Sequence, residues 1–141
     1  MKIALLSLLA LVLALAILGV ITATPLVGEV VTLHTLDEAG EWKTTPLWIV
    51  ESPDGGEYLR AGDAGRGWVV RMRANPSIRL ERSGETAAVT IVSAPGMVKT
   101  VHDLMAEKYG WADDFVTLMA PDRSRALALR VERGSAAAGG S

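Results

Sequence analysis

Three arginines, Arg66, Arg71 and Arg73, stand close together in the stretch Gly65–Arg82, GRGWVVRMRANPSIRLER. The guanidinium group suits bidentate contacts with phosphate, and the N–H groups of Gly65-Arg66-Gly67, leading into a helix, would add donors for an anion. A helix over Gly67–Ala74 puts Trp68, Val69 and Met72 on one side. Residues two apart on a helix do not face each other, so Arg71 and Arg73 cannot both grip one phosphate. A phosphate site here therefore needs Arg66 plus one of the pair, with Lys43 or Thr45 supplied by a neighbouring strand. The plainer reading stays open beside it, in which the arginines are solvated or pair with Asp63, Glu81 or Glu85.

Other residues carry weaker chemical signals. His34 and His102 are the two histidines, and they lack a third ligand at a spacing diagnostic of a metal site. They read as a strand histidine and a histidine bordering a helical apolar stripe. Asp113 and Asp114 fall in the first turn of a helix, where carboxylates meet the positive end of the dipole. Trp42, Trp48, Trp68 and Trp111 read as packing residues. With no cysteine, disulfides, thiolate nucleophiles and zinc–thiolate sites are excluded. A net charge of -2 opposes general nucleic-acid binding, which needs a concentrated basic field.

The elements that must position these residues are legible in the patterning of the 141 residues. Ile3–Ala23 is uncharged and apolar, interrupted by Ser7, Gly19 and Thr22, and its length predicts a single transmembrane anchor over residues 1–24. Thr22-Ala23-Thr24 also suits a small-residue cleavage site, so a signal segment is the alternative. Lys2 against Glu29 gives a slight bias that puts the following domain outside the cytoplasm. From residue 29 to 133 the pattern has period two, predicting strands over EVVTLHTL, KTTPLWIVE, EYLRAG, SIRLER, ETAAVTIVS and RALALRVE. Pro46 cannot donate to a ladder, so its strand should lie at an edge or bulge there. Pro76 ends the short helix, and Ser83-Gly84 turns one hairpin. Helical spacing recurs from Met97 to Tyr109 and from Trp111 to Met119. The tail 134–141, GSAAAGGS, has nothing to pack and is expected to be disordered. The fold expected is α+β: a six-stranded antiparallel split β-barrel with one short helix and a helical pair outside.

The stretch TLHTLDEAGEWKTTPLWIVESPDGGEYLRAGDAGRGWVVRMRANPSIRLE resembles the split-barrel flavin-binding superfamily of pyridoxamine-phosphate-oxidase type, and within it the deazaflavin-dependent nitroreductase-like branch. The resembling residues are Thr44-Thr45-Pro46-Leu47, Tyr58 to Gly62, and Trp68 with Arg73-Ala74-Asn75-Pro76. The resemblance spans roughly Val30 to Arg133. It implies a cleft at the barrel wall holding FMN or the deazaflavin coenzyme F-420, with hydride transfer to a small, lipophilic acceptor. Cofactor-binding positions are then expected at Lys43, Thr45, Pro46, Arg60 and Gly62, and around the opening arginines at Arg66, Trp68, Arg71 and Arg73, with Trp68 able to line the ring cleft. Split barrels of this kind commonly pair, which implies a homodimer. One departure stands out. The branch carries a basic Gly-Arg-x-Ser-Gly turn before the Thr-Pro strand, whereas this chain has Leu36-Asp37-Glu38-Ala39-Gly40, whose acids would repel a phosphate. A second expectation is therefore a split-barrel binding or interaction module without catalysis.

Overall fold

The structure is a computed structural model and describes residues 1–23, 28–120 and 122–134. Side-chain alternation along the strands feeds two separate cores. Strands β1 (Val30–Leu36), β2 (Trp42–Glu51), β3 (Glu57–Ala61), β4 (Ile78–Arg82), β5 (Glu85–Ser93) and β6 (Leu127–Arg133) close a barrel in the order β1-β2-β3-β6-β5-β4. Every ladder is antiparallel, including the β1–β4 pairing that closes the ring. Leu33, Ile49, Leu59, Leu80 and Leu129 point to the interior and are buried almost completely. Their strand neighbours Val50, Tyr58 and Ala128 belong to a second cluster with Val101, Met105 and Tyr109. Period two thus delivers one face of β2, β3 and β6 to the barrel interior and the other to a helix outside. Each fully buried aliphatic side chain contributes roughly 1.5–3 kcal/mol.

Helix α2 (Gly67–Ala74) covers the interior core with Trp68, Val69 and Met72, all buried. Its bounds match the sequence expectation, and Asn75 is already extended before Pro76, as the residue ahead of a proline prefers. The β4–β5 hairpin turns through Ser83 (φ 54°) and Gly84 (φ 80°), the paired positive dihedrals of a tight two-residue turn. Helices α3 (Val98–Tyr109) and α4 (Trp111–Met119) follow, separated by Gly110 at φ 51°.

Tyr109 ties α3 to the barrel. The β1–β2 ladder reaches Val30 and Trp48 and stops, leaving the next β2 residue, Ile49, without a β1 partner. The Tyr109 hydroxyl accepts from the Ile49 N–H at 3.1 Å and lies 2.6 Å from the Glu29 carbonyl, to which it can donate. Lys108 donates to the Ile49 carbonyl at 2.8 Å. The end of α3 therefore replaces a missing strand. Nearby, Arg82 gathers Glu29, Glu51 and Glu57 at 2.7–2.8 Å.

One expectation is corrected. Helix α1 runs over Lys2–Ala23, yet among the described residues no helix is long and apolar enough to cross a membrane. The single-pass transmembrane anchor, and the membrane localisation drawn from it, are overturned. Thr24 and the tail from Ser135 lie outside the described residues.

Candidate functional site

Where β2 and β3 part, a cavity opens. Their ladder holds at Ile49↔Leu59, Val50↔Tyr58 and Glu51↔Glu57. Beyond it, β2 runs on through Trp48, Leu47 and Pro46 beside β1 alone, and β3 runs on through Arg60 beside β6. Pro46 thus lies on a local edge, and its missing N–H breaks no bond to β3. The gap is bounded by Pro46, Leu47 and Trp48 on one side and Arg60, Ala61 and Gly62 on the other. His102 and Met105 of α3, Val116 of α4, Ala120 just beyond it, and Arg123 complete a cavity of about 430 Å³. That volume falls in the range of small-molecule sites, which join apolar walls to a few convergent polar groups.

Trp48 forms a rigid wall. It stacks on Tyr109 with ring centroids 4.3 Å apart and an interplanar angle of 9°, and Tyr109 is itself fixed by the backbone contacts described above. At the other side Arg66 lies against Gly62, where a Cβ would meet its Nη2 at 3.1 Å. A side chain at position 62 would push the guanidinium away.

The polar groups converge between the helices and β3. Arg60 donates through Nη2 to Asp113 Oδ1 at 2.7 Å, and Arg123 Nη2 lies 3.5 Å from the same oxygen. Asp113 is almost fully buried, its side chain 3% exposed. Arg60 and Arg123 also turn their Nη1 atoms to His102 Nδ1, at 3.1 and 3.2 Å. A guanidinium has donors only, so Nδ1 must accept and the ring proton sits on Nε2. Burial, reinforced by the charges of Arg60 and Arg123, pushes the His102 pKa below its ordinary value, and the ring is neutral at pH 7. Its Nε2 is buried and has no hydrogen-bond partner among the described residues. Thr117 donates to the Asp113 carbonyl at 2.8 Å and accepts from Arg123, which fixes the loop after α4 on the helix.

Of the residues expected from the sequence, Pro46, Arg60, Gly62 and Arg66 line this cavity. The others lie outside its lining. Lys43 lies 3.6 Å from Asp37 and 3.7 Å from Glu41. Thr45 is half-buried opposite Leu33 in the β1–β2 ladder. Trp68 is in the barrel core. Arg71 donates through Nε to Thr35 Oγ1 at 2.9 Å, and Arg73 is exposed at the end of α2. The Arg66–Arg71–Arg73 corner is therefore split. The acidic departure at Asp37 also gains a local role: its carboxylate accepts from the N–H groups of Ala39 and Glu41, both at 2.9 Å. Those bonds, that of Glu41 first, hold its pKa below the ordinary value. It closes the β1–β2 turn.

Sequence reasoning missed His102, Asp113 and Arg123. They lie on α3, on α4 and after α4; His102 and Asp113 each have an ordinary local explanation, and Arg123 carries no signal of its own. No motif joins them.

No family model matches the chain, and no curated protein matches it. Solved structures do. An Agrobacterium tumefaciens protein of unknown function is 19% identical over 75% of this chain and 49% of its own, with a TM-score of 0.59, so this chain spans about half its length. The heme storage protein HutZ of Vibrio cholerae is 15% identical over 75% of this chain and 82% of its own, at a TM-score of 0.55. An F420 reductase is 11% identical over 75% of this chain and 86% of its own, at 0.54. At such identities the likeness is one of fold. The split barrel expected from the sequence is the fold these proteins share.

Proposed function

Starting from a split-barrel fold shared with an F420 reductase and a heme storage protein, we propose that this chain binds a flavin-type cofactor, FMN or F-420, and passes hydride to a small acceptor. The observation that supports this reading is the cavity of about 430 Å³ at the parting of β2 and β3, apolar in its walls and basic at its edge. The residues present fit such a group. Leu47, Trp48 and Met105 offer a flat apolar surface for a ring system, and Arg66 offers a charge-assisted contact for a phosphate. The bound cofactor would supply the hydride chemistry. The protein's part is to hold the ring against Trp48, keep water from it and fix the phosphate at the rim.

A second reading rests on the β1–β2 turn, where Asp37 serves as a turn cap in place of the branch's basic residue. In that reading the barrel is a binding module without catalysis. Fluorescence titration of the full chain with FMN and with F-420 separates the two. The oxidoreductase reading expects saturable micromolar binding, about -8 kcal/mol, weakened roughly 10- to 100-fold in Arg66→Ala, as loss of a charge-assisted bond implies. A folded chain that takes up neither cofactor refutes it and favours the module. Unchanged affinity in Arg66→Ala would remove that residue from the site.

A further inference from the structure

Among the described residues, the inner part of the cavity carries more positive than negative charge. Arg60 and Arg123 share a single buried carboxylate, Asp113, at 2.7 and 3.5 Å. Two guanidiniums against one carboxylate leave one net positive charge, since the neutral His102 adds none. The lining also carries Arg66 and Asp122, one charge of each sign. His102 Nδ1 accepts from both guanidiniums, so the ring nitrogens sense any change at the two arginines. Around the cluster the walls are apolar: Leu47, Trp48, Met105 and Val116.

We propose that this inner subsite binds the carboxylate of a small apolar monocarboxylic acid, with Arg60 and Arg123 as donors and Trp48 and Met105 against its hydrocarbon part. One negative charge matches the one left over. A dianionic phosphate would exceed it, and a neutral amide would leave it unbalanced. The inference goes beyond cofactor binding, because it uses the cluster between α3, α4 and β3; Trp48 and Met105 would serve the ring and the acid in turn, so the acid binds the cofactor-free protein.

The test is a titration of the full chain, free of cofactor, with sodium benzoate, benzamide and inorganic phosphate. Tryptophan fluorescence follows occupancy beside Trp48, and the nitrogen resonances of the His102 ring report the subsite through the two arginines. Benzoate is expected to saturate, to shift the His102 ring nitrogen resonances, and to bind at least tenfold more tightly than benzamide or phosphate. Arg123→Gln is expected to weaken benzoate at least tenfold while Ser124→Ala leaves it unchanged. Equal binding of benzoate and benzamide overturns the proposal, because charge would then play no part, and so does phosphate binding tighter than benzoate. Both outcomes are read on the unaltered protein, so they hold even if Arg123→Gln fails to fold. Benzoate binding by a chain that takes up neither FMN nor F-420 supports this subsite and counts against the cofactor reading alone.

Discussion

Replacing Asp113 by asparagine keeps the shape of the side chain and removes the charge that holds two arginines. The Asp113 side chain is 3% exposed and that of Arg60 12%, so water cannot replace the lost carboxylate. Removing one partner of a buried pair costs about 3–5 kcal/mol, because the other charge stays buried and uncompensated. Asparagine retains an acceptor oxygen for Arg60, which places Asp113→Asn near the lower end, about 3 kcal/mol. For a domain near 100 residues each kcal/mol moves Tm by about 4–8 °C, so a fall of roughly 12–24 °C is expected. Circular dichroism of the full chain on heating measures it. The double variant Arg60→Met with Asp113→Leu should recover more than half of that loss, since an apolar pair of similar bulk buries no charge. A Tm within about 3 °C of the parent in Asp113→Asn would refute the reasoning, showing that solvent already screens the cluster.

Two further outcomes follow from the network that anchors α3. Tyr109→Phe leaves the Ile49 N–H without the acceptor it has at 3.1 Å, and should cost about 1–3 kcal/mol in urea unfolding; a change under about 0.5 kcal/mol would show that the hydroxyl is not needed there. Acid should weaken the fold as well. Arg82 first, and then Lys108, hold the Glu29 pKa down to about 2, and Arg133 first, and then Arg82, lower that of Glu57. Both carboxylates protonate more readily in the unfolded chain, so the stability they add is present above about pH 4.5 and is lost as pH falls toward 2. Glu29 is partly exposed, and after solvent screening its share is about 1–2 kcal/mol. Glu29→Gln should therefore lower stability at pH 7 and differ little from the parent near pH 2; a gap that stays constant between the two would contradict this account.

Much of the fold was legible because its signals are local. Alternation along β1, β3, β5 and β6 follows from the two-residue repeat of a strand, and it sorted Tyr58 from Leu59 and Ala128 from Leu129 between two cores. Pro76 and the Ser83-Gly84 turn act through their own backbone dihedrals. Pro46 announced an edge because a missing N–H is a property of one residue. The apolar N-terminal run was legible as a helix, while its reading as a membrane span failed against the structure.

The site was legible only in part. Pro46, Arg60, Gly62 and Arg66 were identified on the strand and loop segments that carry the resemblance, and these segments border the cavity. The use of each arginine was not legible, because a side chain's partner depends on what the fold brings beside it. Arg71 reaches Thr35 on β1, and Arg60 reaches Asp113, 53 residues away in the chain. The sequence by itself determined the strands, the turns and the apolar faces, since each depends on neighbours within a few residues. Tertiary structure alone decided that β2 and β3 part beyond Ile49 and that His102, Asp113 and Arg123 meet Arg60 there, because burial and charge pairing act through space and leave no spacing along the chain.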